Sequence, residues 1–193
     1  MTWNQLPDKI GEPSFENLLA VLRRQVPSRP TLFEFFLNQR LYDRLAPRSE
    51  AQAAIPYAKQ RQVMRAFHRA GYDFANVIIP GFEFPSERIE GTRTISINEG
   101  GLIHDRKSFD RYPWPDPEDA DYDILDELAA ELPAGMMLIG YGPCGVLENA
   151  IQVVGYERLC YLLADDPALV EQIFAEIGER LTRYYQIVAS HPA

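Results

Sequence analysis

The sequence predicts an α/β fold built on parallel strands, and three observations carry that expectation. Short, nearly continuous apolar runs occur at 31–37, 72–80 and 136–141. Segments of helical periodicity lie between them. Proline and glycine close the runs, as Pro80-Gly81 and Gly142-Pro143. An apolar run without polar alternation suits a strand covered on both faces. A strand, helix, strand order with a long crossover implies parallel pairing, because a tight hairpin does not span it.

From 15 to 25, Phe15, Leu18, Leu19 and Leu22 recur at helical spacing behind Ser14, a candidate cap. Pro27 and Pro30 break the chain before the first predicted strand, 31–37. A short helix is expected at 40–45. A longer one is expected at 51–70, with Pro56 near its first turn and Gly71 as its left-handed stop. The second strand, 72–80, centres on Val77-Ile78-Ile79. The stretch 81–111 reads as an insertion, with an alternating strand at 92–97 and a hairpin turn at 99–102. A helix at 121–132, a third strand at 136–141 and a helix at 144–154 follow. Asp166 before Pro167 marks the start of a long helix to residue 190, whose apolar face runs through Val170, Ile173, Phe174, Ile177, Leu181, Tyr184 and Val188.

The composition is that of a folded chain: 46% hydrophobic and 24% charged over 193 residues. The formal charge of −9 is unevenly spread, since 112–157 holds ten acids and no Lys or Arg. A solvated acidic face is the ordinary meaning of such a block. Without a basic stripe, nucleic acid is not an expected partner. No apolar run reaches the length of a membrane span, and the first residues lack a signal-peptide layout, so a cytoplasmic location is expected. Cys144 and Cys160, the only cysteines, form no metal or disulfide pattern.

Three stretches share an order with a known family: 22–34 (LRRQVPSRPTLFE), 142–148 (GPCGVLE) with 155–158 (GYER) behind it, and 163–170 (LADDPALV). Together they resemble the uroporphyrinogen decarboxylase superfamily, including its corrinoid-dependent methyltransferase-like relatives. The resemblance implies a (β/α)8 TIM barrel of which residues 1–193 are the N-terminal portion, an incomplete barrel domain with a tail at 1–14 and a hairpin inserted after strand two. A complete barrel of this kind has roughly 250 residues.

In such barrels chemistry sits at the C-terminal ends of the strands. The resemblance therefore points to Phe36 and Asn38 at the end of the first run, Pro80 and Glu83 after the second, and Tyr141, Cys144 and Glu148 after the third; with Glu34 inside the first run and Asn149 beside Glu148, these are the substrate-binding candidates. No catalytic residue is assigned. The decarboxylases carry paired arginines after strand one, which match carboxylates bidentately, and an aspartate after strand two. Here 35–40 contains Arg40 alone, and 79–83 reads Ile-Pro-Gly-Phe-Glu.

The expectation is thus a protein nearer the methyltransferase-like branch, forming part of a barrel-mouth pocket for a small-molecule substrate. That branch implies a corrinoid protein as partner and a zinc ion that activates a thiol, with His and Cys ligands in the family's C-terminal half. The alternatives are a decarboxylase of tetrapyrrole (heme) biosynthesis, and a non-catalytic half-barrel or truncated product that self-associates or needs a complementary chain.

Two further expectations concern single residues. Glu34, inside an apolar run, reads as a buried carboxylate needing a partner or a purpose. Cys160, among leucines and a tyrosine, reads as core. The aromatic set Phe33, Phe35, Phe36, Phe82 and Phe84 reads either as core or as the lining of a flat pocket. His68, His104 and His191 show no ligand spacing.

Overall fold

A computed structural model describes residues 11–86 and 101–191. The strand expected at 92–97, the first half of the turn at 99–102 and most of the N-terminal tail lie outside the described residues. In chain order the elements are α1 (Glu16–Leu22), α2 (Gln39–Leu45), α3 (Glu50–Ala53), α4 (Ala58–Ala70), β1 (Phe74–Ile78), α5 (Arg106–Asp110), a 3-10 turn (Pro117–Asp119), α6 (Asp123–Ala129), β2 (Met137–Tyr141), α7 (Val146–Val154), α8 (Tyr156–Asp165) and α9 (Pro167–Ser190). The structure is mixed and helix-rich, and its two neighbouring strands are parallel. The chain divides into two compact units, one of residues up to 77 with 122–141, the other of 78–121 with 142–191.

In the first unit, β1 and β2 form the sheet. Asp73, immediately before β1, fastens the N-terminal segment to it: its carboxylate accepts from Ser14 N at 2.7 Å and pairs with Arg29. The expected cap at Ser14 is not made: Phe15 occupies the cap position of α1, and Ser14 instead donates its backbone amide to Asp73. Gly135, at φ 81°, introduces β2 and lies so close to Pro13 that a Cβ would sit 2.2 Å from the Pro13 carbonyl oxygen. Only glycine suits both demands.

The helix expected at 51–70 is two helices. Pro56 lacks a donor and its ring obstructs the preceding turn, so α3 ends at Ala53, and Tyr57 turns the chain through a left-handed conformation (φ 52°) into α4. Arg61 braces the break, donating to Pro56 O at 2.6 Å, Glu127 Oε2 at 2.7 Å and Glu131 Oε1 at 3.0 Å. Two acids of the acidic block are therefore held in ion pairs within the unit. Gly71, at φ 89°, stops α4 as expected. Phe67 of α4 packs on Tyr72 and Phe74, with ring centroids 4.8 and 5.9 Å apart.

The run 31–37 is not a strand. Its backbone polar groups find side chains instead of a ladder, so they remain satisfied without joining the sheet. Asn76 Nδ2 donates to Glu34 O at 2.8 Å and to Phe35 O at 2.6 Å, and Leu37 N donates to the Tyr42 hydroxyl at 2.8 Å. Alternation along β1 puts Phe74 and Asn76 on one face. Phe33 stacks against Phe74 at 5.2 Å, so the segment crosses that face of the sheet.

In the second unit, α7, α8 and α9 pack against one another, and the 3-10 turn packs on α9. Asp166 caps α9 by accepting from Leu169 N at 3.1 Å, with Pro167 in the first turn, as the sequence predicts. Phe82 stacks on Tyr184 (4.8 Å, 13° between planes), and Phe84, Phe109 and Tyr112 surround Trp114. Arg180 lies 5.0 Å over the Trp114 ring. The sequence analysis did not foresee α5, whose Asp105 and Ser108 form a reciprocal cap. No helix among the described residues is long and apolar enough to cross a membrane.

Candidate functional site

The predicted site residues divide between the units, with Glu34, Phe36, Asn38 and Tyr141 in the first and Pro80, Glu83, Cys144, Glu148 and Asn149 in the second.

In the first unit, Tyr141 ends β2, and the Phe35 ring meets it edge-on at 6.3 Å. Phe33 meets Phe35 at 5.4 Å, also edge-on. Phe36, next to Phe35 in sequence, is 72% exposed, and Phe33 and Phe35 are 50% and 56% exposed. Phe33 lies against Phe74 at the start of β1 and Phe35 against Tyr141 at the end of β2, so the rings form an open aromatic surface along the sheet that ends at Tyr141. Burial pushes the Tyr141 hydroxyl above its ordinary pKa, with the nearby Tyr42 adding to the shift. At neutral pH it is a neutral phenol.

Glu34 is exposed, which overturns the expectation of a buried carboxylate: the segment crosses the sheet instead of entering it, and the side chain reaches solvent. No ion pair to Glu34 occurs among the described residues. Its charge assists burial in raising the Tyr72 hydroxyl pKa. Asn38 is a helix cap, its Oδ1 accepting from Leu41 N at 3.0 Å.

The residue that organises this surface is Asn76, which the sequence reading passed over. Its amide is buried, both Nδ2 protons are directed at the aromatic segment, and Oδ1 has no partner among the described residues. A polar residue at the centre of the apolar run 72–80, beyond Asp73 at its start, was the signal available in the sequence.

In the second unit, Gly142 to Gly145 form a tight turn into α7. Asn149, 1% exposed, donates Nδ2 to Pro143 O at 3.0 Å and to Gly145 O at 2.9 Å, locking that turn. Tyr185 accepts from Gly142 N at 3.1 Å, and Tyr184 leaves no room for a side chain at Gly142, where a Cβ would lie 2.9 Å from its ring. Cys144 occupies the apex at φ 24° and is exposed. The Glu148 carboxylate folds back over the start of α7, 2.6 Å from where a Cβ on Gly145 would stand.

The structure thus brings Cys144, Glu148 and Asn149 together. Pro80 accepts from Asp121 N at 2.9 Å, and Glu83 is exposed between the buried Phe82 and Phe84. Phe82 and Phe84 are core, so the expected flat aromatic set survives only as Phe33, Phe35 and Phe36. Cys160 is exposed on α8, not core, because α8 turns only Leu159 fully inward.

Among the described residues no group of three or more His, Cys, Asp or Glu side chains is placed to hold a metal ion. The family resemblance places the ligands of its zinc in the family's C-terminal half and assigns none to these residues. What the geometry provides is a surface for flat, apolar ligands and, separately, a rigid turn presenting a thiol.

Compared with protein-family models, curated proteins and solved structures, the chain matches none of them.

Proposed function

We propose that this chain belongs to the uroporphyrinogen decarboxylase superfamily, nearer its methyltransferase-like branch, and that the open aromatic surface of the first unit is part of a barrel-mouth pocket for a flat, conjugated ligand of the tetrapyrrole class. On this reading the residues are the N-terminal portion of a (β/α)8 barrel in a cytoplasmic protein whose partner is a corrinoid protein.

The observation that carries the reading is the placement of Phe35 against Tyr141 at the C-terminal end of a parallel strand, with the exposed Phe36 next to Phe35 in sequence. In parallel α/β folds ligands gather at that end. Aromatic faces and edges stack on a planar macrocycle without needing a charge. The role assigned to these side chains is binding, and no proton transfer is assigned to them.

The test is titration of the purified chain with methylcobalamin and, separately, with coproporphyrin, followed by ligand absorbance. Saturable binding of either, weakened roughly tenfold (about 1.4 kcal/mol) in Phe35→Ala or Phe36→Ala, supports the pocket. Absence of saturation for both ligands, or equal affinity in the variants, overturns it. Conversion of uroporphyrinogen to coproporphyrinogen above a no-protein control moves the assignment to the decarboxylase branch.

A further inference from the structure

A cleft of about 360 Å³ opens beside α5 in the second unit, and the aromatic surface of the first unit has no part in it. Leu102, Tyr112 and Pro113 give it an apolar wall. Tyr112 is fixed from behind: it is buried, its hydroxyl donates to Pro85 O at 2.7 Å, and its ring meets Trp114 edge-on at 4.6 Å. That part of the wall stands before any ligand arrives, as small-molecule sites require.

The polar groups of the cleft differ in what they have left to offer. Asp105 Oδ1 accepts from Ser108 N and Ser108 Oγ, both at 2.8 Å, and Ser108 Oγ accepts from His104 N at 2.7 Å. The hydrogen bonds from Ser108 hold the Asp105 carboxyl below its ordinary pKa, with Lys107 and His104 adding to the shift through their charge. Asp105 is therefore an anion engaged in the cap of α5. His104 also borders the groove beside α8, where Glu157 and Asp165 stand, and is given no role here.

Lys107 and Arg111 line the same cleft, are exposed, and make no ion pair or side-chain hydrogen bond with any described residue. Arg111 is the C-cap of α5 and keeps a right-handed backbone (φ −103°, ψ −3°), so it stands one turn beyond Lys107 on the same side, with about 5–6 Å between their Cβ atoms. The neighbouring Arg106 is already committed, to Asp166 at 2.9 Å and Gln172 at 3.0 Å. Lys107 and Arg111 against Asp105 leave the lining one positive charge in excess, with histidine neutral.

We propose that this cleft binds a small monocarboxylate with a flat apolar body, its ring against Tyr112 and Pro113 and its carboxylate between Lys107 and Arg111. A guanidinium fork matches a carboxylate, and the ammonium one turn away supplies a second donor. The ionised Asp105 beside them disfavours a phosphate monoester, whose second negative charge the lining does not balance. The assignment is independent of the tetrapyrrole reading.

The test is isothermal titration calorimetry of the full chain with 2-naphthoate, 2-naphthalenemethanol and 2-naphthyl phosphate. The expected result is saturable binding of 2-naphthoate, weakened roughly threefold in Lys107→Gln and in Arg111→Gln, the scale of exposed charge pairs. The neutral alcohol, which loses both contacts, is expected to bind roughly tenfold more weakly than the carboxylate. Phe35→Ala, in the first unit, leaves naphthoate binding within about 1.5-fold of the parent, which separates this cleft from the aromatic surface. Both cations are exposed and unpaired, so their removal leaves the fold intact. The proposal is overturned if naphthoate does not saturate, if the alcohol binds as well, or if the two variants bind like the parent. A loss confined to Phe35→Ala, or a phosphate that binds more tightly than the carboxylate, overturns it equally.

Discussion

Replacing Asn76 by Asp tests whether this one amide holds the aromatic segment on the sheet. The substitution keeps the shape and exchanges two N–H donors for acceptors. At high pH the variant loses both hydrogen bonds, about 2 kcal/mol at the usual net of about 1 each, and sets a buried carboxylate against the carbonyls of Glu34 and Phe35. Leaving that charge unsatisfied costs about 1–3 kcal/mol more, for a total of about 3–5 kcal/mol.

At low pH the protonated acid regains one donor, and the loss shrinks to about 1 kcal/mol. The sign follows from linkage. The folded variant holds its proton more tightly than the unfolded chain, where aspartate titrates near 3.9, so stability falls as pH rises above about 4. Urea unfolding of variant and parent at about pH 4 and pH 8 isolates the difference, because the other titrations cancel. Asn76→Ala, which carries no charge, is expected to lose about 2 kcal/mol or more at both pH values. An Asn76→Asp chain within about 0.5 kcal/mol of the parent at pH 8, or a loss independent of pH, refutes the pinning role.

Glu34→Gln is expected to change stability by less than about 0.5 kcal/mol in the same melts, since the carboxylate is exposed and unpaired among the described residues. Gly71→Val at φ 89° is expected to destabilise by about 1–2 kcal/mol, read as a lower urea midpoint, because a β-branched residue disfavours the left-handed region. Tyr112, whose hydroxyl donates to Pro85 O at 2.7 Å, is held protonated by burial well above the ordinary phenol range. A spectrophotometric titration is expected to show one late tyrosine that Tyr112→Phe removes. The neutral form is favoured on folding, so that contribution is lost only as pH rises beyond about 10, the unfolded phenol value.

The features legible in the sequence are those set by local chemistry. Gly71 stops α4 because the left-handed turn favours glycine, and Asp166-Pro167 starts α9 because a capping carboxylate and a preset φ agree. The strands at 74–78 and 137–141 lie inside the predicted apolar runs. The features not legible depend on distant partners. The run 31–37 has the composition of a covered strand, but Asn76 and Tyr42 take the bonds a ladder would make, and nothing within the run announces that. Glu34 was misplaced for the same reason. Cys160 reads as core from its neighbours, yet burial on a helix depends on which face is turned inward. Of the candidate site, the turn at Cys144, Glu148 and Asn149 was legible because its residues are local, whereas the pairing of Phe35 with Tyr141 joins residues too far apart in sequence for pattern to reveal.

Among the described residues the chain passes between its two compact units three times, after residues 77, 121 and 141. Neither unit is a continuous stretch, so no single cut separates them: residues 78–191 hold all of the second unit but carry 122–141 of the first, and residues up to 141 hold the described part of the first but carry 78–121 of the second. Synthesis meets the same constraint. β1 leaves the ribosome with residues 79–136 still to be made before β2 can pair with it, a wait of several seconds at roughly 5–20 residues per second. Throughout that wait the edge of β1 is an unpaired template, and Phe74, Ala75 and Val77, buried in the finished fold, lack their final cover. Yield is therefore expected to respond more to the speed of translation through 79–136, and to chaperones that hold open strands, than to the stability of the completed protein.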